Sequence, residues 1–178
     1  MLLFKKRPQT VDSVEFATAA WELIGKSGKH FYSKIETAAE YMNLESEERF
    51  ILAEESLIAH LWAVSHALHA DRQALDALHE RYFIGHYNSG KTEGEKGERA
   101  NAAQSRLLER YDRYYKAFGP EMKGGHALAS EMAQSFFPKR QPVLNAILCH
   151  EIYVHFFAFM MSVLKFRKRY ILQSDTPV

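Results

Sequence analysis

Between Val143 and Phe166 the chain is almost unbroken apolar sequence, VLNAILCHEIYVHFFAFMMSVLKF, yet Glu151 and His155 stand inside it four residues apart. On an α-helix that spacing puts both side chains on one face. A carboxylate and an imidazole in an apolar interior must be paired, protonated or metal-bound, because an isolated buried charge is too costly. A second stretch, LAEESLIAHLWAVSHALHA, offers complementary groups. There Glu55, His66 and His69 group with Trp62 opposite a leucine stripe, and His60 lies at the edge of that stripe. Two facing helices would bring Glu151, His155, Glu55, His60 and His66 toward one site, as helical bundles do when they hold transition-metal centres.

The motif argues for restraint. Carboxylate-bridged di-metal bundles repeat Glu-x-x-His, and this chain has none; its nearest approaches are Asp76-x-x-His79 and Glu151-x-x-x-His155. The plainer reading of Glu151 and His155 is an intrahelical pair of the i to i+4 kind. His150-Glu151 followed by His155 also misses the zinc-peptidase spacing, which needs two histidines four apart on one face. Gly85 to Thr92, GHYNSGKT, formally fits a phosphate-binding loop, but the residues before it have helical rather than strand periodicity. Spacing alone assembles no Ser-His-Asp constellation.

The elements that must position these residues are helical. Helical periodicity runs through almost the whole chain and no segment alternates strictly, which predicts an all-α fold. We expect one domain over residues 10–174, a bundle of about six or seven helices around a long apolar C-terminal helix over 142–172. Asp12 with Glu15 forms a capping box for the first helix, and Gly25 and Gly28 mark its end. A second helix over about 30–42 follows. Ser46 caps a third that runs to Ala70 with Phe50, Ala53, Leu57, Leu61, Val64 and Leu68 as its inner stripe. Asp71 is a cap or kink point. Residues 88–98, NSGKTEGEKGE, hold three glycines and no apolar residue, so they read as an exposed, flexible loop. Later helices cover about 98–118, stopped by Gly119-Pro120, and 126–137, stopped by Pro138.

Composition bounds the function. With 178 residues, 47% hydrophobic and 25% charged, the chain can bury a core without metal or disulfide staples. A net charge of +1 gives no protein-wide attraction to nucleic acid. The single cysteine, Cys149, fits a buried thiol in a reducing compartment, hence a cytoplasmic location. The N-terminal MLLFKKRPQT places apolar residues before charges, the wrong order for a secretory signal. The 143–166 stretch is long enough to span a bilayer, but several amphipathic helices need an apolar partner and only this segment can serve them. We therefore expect no transmembrane span. Peripheral membrane contact through Leu2-Leu3-Phe4 with Lys5-Lys6-Arg7, and through the C-terminal basic run, remains open.

With no complete catalytic signature and a large aromatic helical surface, the sequence points to a non-catalytic protein-interaction or regulatory module that self-associates. The alternative is a metal- or small-ligand-binding bundle using Glu151, His155, Glu55, His60 and His66, with a transition metal as the implied cofactor.

Overall fold

Asp12 and Glu15 start the first helix reciprocally. The Glu15 amide donates to Asp12 Oδ1 at 2.7 Å and the Asp12 amide to Glu15 Oε2 at 3.3 Å, satisfying two of the free N–H groups at the helix start. In the computed structural model, which describes residues 8–37, 43–68, 71–119, 125–139 and 146–172, this helix, α1, runs over Ser13–Thr37. It continues through both Gly25 and Gly28, so the expected break and separate second helix are replaced by one long element. Each glycine costs a helix roughly 0.5–1 kcal/mol. Burying Phe16, Ile24, Phe31 and Ile35 on one face contributes about 1.5–3 kcal/mol apiece and outweighs it.

The following helix, α2 (Ser46–Ala67), begins one residue earlier than expected. Glu45 precedes it, with its amide donating to Glu48 Oε2 at 3.0 Å, and Ser46 is the first helical residue rather than the cap. Every residue from Ile58 to Ser65 is buried, so α2 has no solvent face along that span. The expected inner stripe fails at its start, where Phe50 and Ala53 are exposed while Leu52, Glu55 and Ser56 are buried.

Asp71 precedes α3 (Arg72–Asn88) and Thr92 caps α4 (Glu93–Phe118), its Oγ1 accepting from the Glu95 amide at 3.2 Å. The loop expected over 88–98 is therefore only residues 89–92; the polar run beyond it is the exposed first turns of α4. Local pairs hold those turns without apolar help, as Lys96 bonds Glu93 at 2.7 Å and the Lys91 amide bonds Glu95 Oε2 at 2.9 Å. α5 (Gly125–Phe136) and α6 (Ala146–Arg167) complete six helices among the described residues.

Neighbouring elements close a ring: α1 meets α3, α3 meets α4, α4 meets α5, α5 meets α6, and α6 returns to α1. Inside it lies α2, in contact with α1, α4, α5 and α6. The central helix is thus α2, not the C-terminal one. The expected 142–172 rod is also shorter. Pro142 lies outside the described residues, and α6 stops at Arg167, whose guanidinium grips Asp71 (2.7 and 2.9 Å) and the Tyr170 carbonyl (2.7 Å). The chain then turns into β2 (Tyr170–Leu172), which pairs in parallel with β1 (Gln9–Val11). This small sheet was not legible from periodicity. The expected N-terminal membrane contact at residues 2–7, the end of the expected second helix at 38–42, and His69 fall outside the described residues. No helix among those described is long and apolar enough to cross a membrane.

Gly90 is the position where the α3–α4 turn demands a glycine. A Cβ there would lie 2.6 Å from the Lys96 backbone nitrogen, whereas one on Gly97 of α4 would meet nothing within 4 Å. Urea unfolding should show Gly90→Ala destabilised by about 1–3 kcal/mol and Gly97→Ala stabilised by about 0.5–1 kcal/mol; equal effects would contradict the turn geometry.

Candidate functional site

The five residues singled out from the sequence do not form one ligand set. Glu55, on the buried side of α2, meets Arg110 of α4 in a two-pronged pair, Oε2 to Nε at 2.8 Å and Oε1 to Nη2 at 3.0 Å. Both its oxygens are thereby engaged. His66 stacks on Trp62 at a ring separation of 5.4 Å and packs against Tyr115 and Phe118. Glu151 is half exposed on α6 and stands 3.9 Å from Lys34 of α1. It does not share a partner with His155, because the packing of α6 turns it outward while His155 faces α1 and α2. Among the described residues, no three His, Cys, Asp or Glu side chains converge as metal ligands do.

Two of the five do meet. His60 Nε2 and His155 Nε2 are 3.0 Å apart, and Ser27 Oγ lies 3.1 Å from the first and 3.3 Å from the second. His60 Nδ1–H donates to the Ser56 carbonyl at 2.7 Å, which leaves Nε2 of His60 as an acceptor. His155 must therefore present Nε2–H, shared between His60 Nε2 and Ser27 Oγ. Aromatic rings enclose the group, with Phe31 4.6 Å from the His155 ring and Phe156 and Phe159 each 4.7 Å from His60.

That environment disfavours charge. Burial pushes His60 down to about 4, against a smaller upward pull from the Ser56 carbonyl. His155 falls to about 3, chiefly through burial, with His60, His30 and Lys34 adding unfavourable positive potential. Both imidazoles are neutral at physiological pH.

Beside this cluster a cavity of about 300 Å³ opens between α1 and α2. Ile24, Gly25, Gly28, Lys29 and Tyr32 line it from α1; Ala53, Ser56, Leu57 and His60 line it from α2. The two glycines create it. A Cβ at either would meet no atom within 4 Å, so ordinary side chains there would occupy the space that is now open. Sequence reasoning read Gly25 and Gly28 as helix terminators and passed over Ser27. Their spacing of three on one helix face was the available signal.

Ser27, His60 and the Ser56 carbonyl have the order of a nucleophile, its base and an orienting group. Two features oppose catalysis by them. An imidazole held near 4 is a weak base. Ser27 also sits in the interior of α1, where backbone N–H groups are already bonded within the helix and offer no oxyanion site.

A second polar group joins α2, α3 and α4. His79 Nε2 lies 3.0 Å from Tyr111 Oη and 3.2 Å from Ser65 Oγ, which are themselves 3.1 Å apart. Burial lowers the His79 pKa, opposed by Asp76, and raises that of Tyr111. Each member satisfies the others, as a packed polar triangle should. The GHYNSGKT match is likewise structural: Gly85 and His86 are within α3, so a helix rather than a strand leads into the motif, and Thr92 caps α4.

Comparison with protein-family models, with curated proteins and with solved structures finds no match to this chain.

Two outcomes test this description. The unfolded chain protonates its histidines near pH 6.5 while His60 stays neutral in the fold down to about 4, so unfolding takes up protons and stability falls as pH drops through that window. Denaturant titrations between pH 6.5 and 5 should give a slope that falls by up to about 1.4 kcal/mol per pH unit in His60→Gln, His155 keeping a share of its own. Arg110→Ala leaves the Glu55 carboxylate buried and unpaired, and should destabilise by about 3–5 kcal/mol; a loss under 1 kcal/mol would show the pair to be dispensable.

Proposed function

We propose that this protein binds a small, largely apolar molecule in the cavity between α1 and α2, with His60 as the polar anchor. The observation that carries this reading is the cavity itself, about 300 Å³ and held open by Gly25 and Gly28 against a neutral, pre-oriented imidazole. That volume lies at the lower end of the range of small-ligand sites, which are apolar pockets with a few fixed polar groups. Ile24, Tyr32 and Leu57 supply the apolar wall. Lys29, exposed and lining the cavity, suits an acidic end on the ligand.

The state of His60 defines what it recognises. With Nδ1–H committed to the Ser56 carbonyl, a ligand hydroxyl or protonated acid would donate to Nε2 in place of His155 or Ser27. Burial of the imidazole makes such a bond discriminating, because a ligand that displaced those partners without donating would leave Nε2 unsatisfied. Of the two functions expected from sequence, this is the small-ligand alternative, with His60 and His155 as the retained members of its residue set.

The test uses 1-anilinonaphthalene-8-sulfonate, an apolar anion whose emission rises in a dry site. The wild-type protein should bind it saturably. Gly25→Leu/Gly28→Leu, which fills the cavity while leaving helix content by circular dichroism intact, should weaken binding at least tenfold. Undiminished binding to the filled variant would defeat the proposal.

A further inference from the structure

α6 is apolar on two faces, and the described residues bury only one. Ile152, Phe156, Phe159 and Val163 are buried in the bundle. On the opposite side Val154 (44%), Phe157 (51%), Met161 (42%) and Leu164 (41%) are exposed, four of the eleven exposed large hydrophobic residues among those described. The other seven are spread over five elements, whereas these four form one stripe about 15 Å long at 1.5 Å rise per residue. Their spacing of three, four and three is the heptad seam that a second helix fits.

We infer that this stripe is where two copies of the chain associate, α6 packing antiparallel against α6 about a two-fold axis near residue 159. The four positions are placed symmetrically about that point, so Val154 of one copy lies over Leu164 of the other and Phe157 over Met161. A two-fold interface requires this self-complementarity, in which each contact occurs twice. Ala158, small and exposed, stands at the crossing and lets the backbones approach.

Charge selects the orientation. Exposed Glu151 lies in the N-terminal half of α6 and exposed Lys165 and Lys168 lie at and just beyond its C-terminal end. Antiparallel packing brings opposite charges together, and opposed helix dipoles add to this. A parallel pair would set Lys165 against Lys165. A lipid surface would need no such symmetry, and would be served better by basic residues at both ends than by an acidic one. One short helix pair buries less than a standard interface, so the dimer forms in a concentration-dependent way.

Sedimentation equilibrium should show monomers and dimers exchanging between micromolar and several hundred micromolar protein. Phe157→Glu and, independently, Met161→Lys should shift the midpoint at least tenfold higher while circular dichroism stays unchanged. In a Cys149→Ser background, Ala158→Cys should cross-link to a covalent dimer under mild oxidation and Val154→Cys alone should not. A wild-type chain that remains monomeric throughout overturns the inference, as does a dimer indifferent to both substitutions or one that cross-links through Val154→Cys. Monomers that co-sediment with phosphatidylglycerol vesicles would assign the face to lipid and equally overturn it.

Discussion

An enclosed helix can pair its carboxylate, imidazole and hydroxyl groups only with its neighbours, and although the Trp62 indole N–H of α2 finds no partner, that constraint organises this fold. α2 carries Glu55, His60 and Ser65 into the interior. Each is answered by a different part of the surrounding ring: Glu55 by Arg110 of α4, His60 by Ser27 of α1 and His155 of α6, and Ser65 by His79 of α3 and Tyr111 of α4. Apolar packing tolerates small slips between helices, because methyl groups accept many neighbours. Hydrogen bonds of about 3 Å do not, and an unsatisfied buried group costs about 1–3 kcal/mol. The polar groups of α2 therefore set how α1, α3, α4 and α6 are rotated and how far along each lies.

The same enclosure explains where the cavity lies. α1 packs on α2 through Phe31 and Ile24, but between them the Gly25 and Gly28 positions present no side chain. Space opens at that point and ends on His60. The site is thus a gap in one layer of an otherwise close-packed bundle, and the cluster that keeps His60 in one tautomer also belongs to the machinery that registers α1 and α6 against α2. In the proposed reading, a ligand in the cavity would bind to those same atoms, and its occupancy would be coupled to the packing of three helices.

The C-terminal helix illustrates how local apolarity can mislead. Its sequence is the most continuously apolar in the chain, and that suggested a core rod. In the fold it is an outer helix whose inner face touches α2 and α5, and the central role goes to α2, whose sequence is interrupted by two histidines, three serines and four glutamates within Ser46–Ala67. Apolarity reports how much burial a segment demands. It does not report whether the partner is the same chain.

The capping box at Asp12 and Glu15, the stop at Gly119, the limits of α5 and the all-α class were legible in the sequence, because they depend on contacts within a few residues. The continuity of α1 through its glycines, the β1–β2 pairing and the early end of α6 were not, since long-range packing overrode the local preference in each. For the site, residue types alone put His60 and His155 on the short list with Glu55, His66 and Glu151. Only tertiary structure could sort them. His60 meets His155 across 95 positions and Glu55 meets Arg110 across 55, separations over which neither periodicity nor spacing carries information about distance.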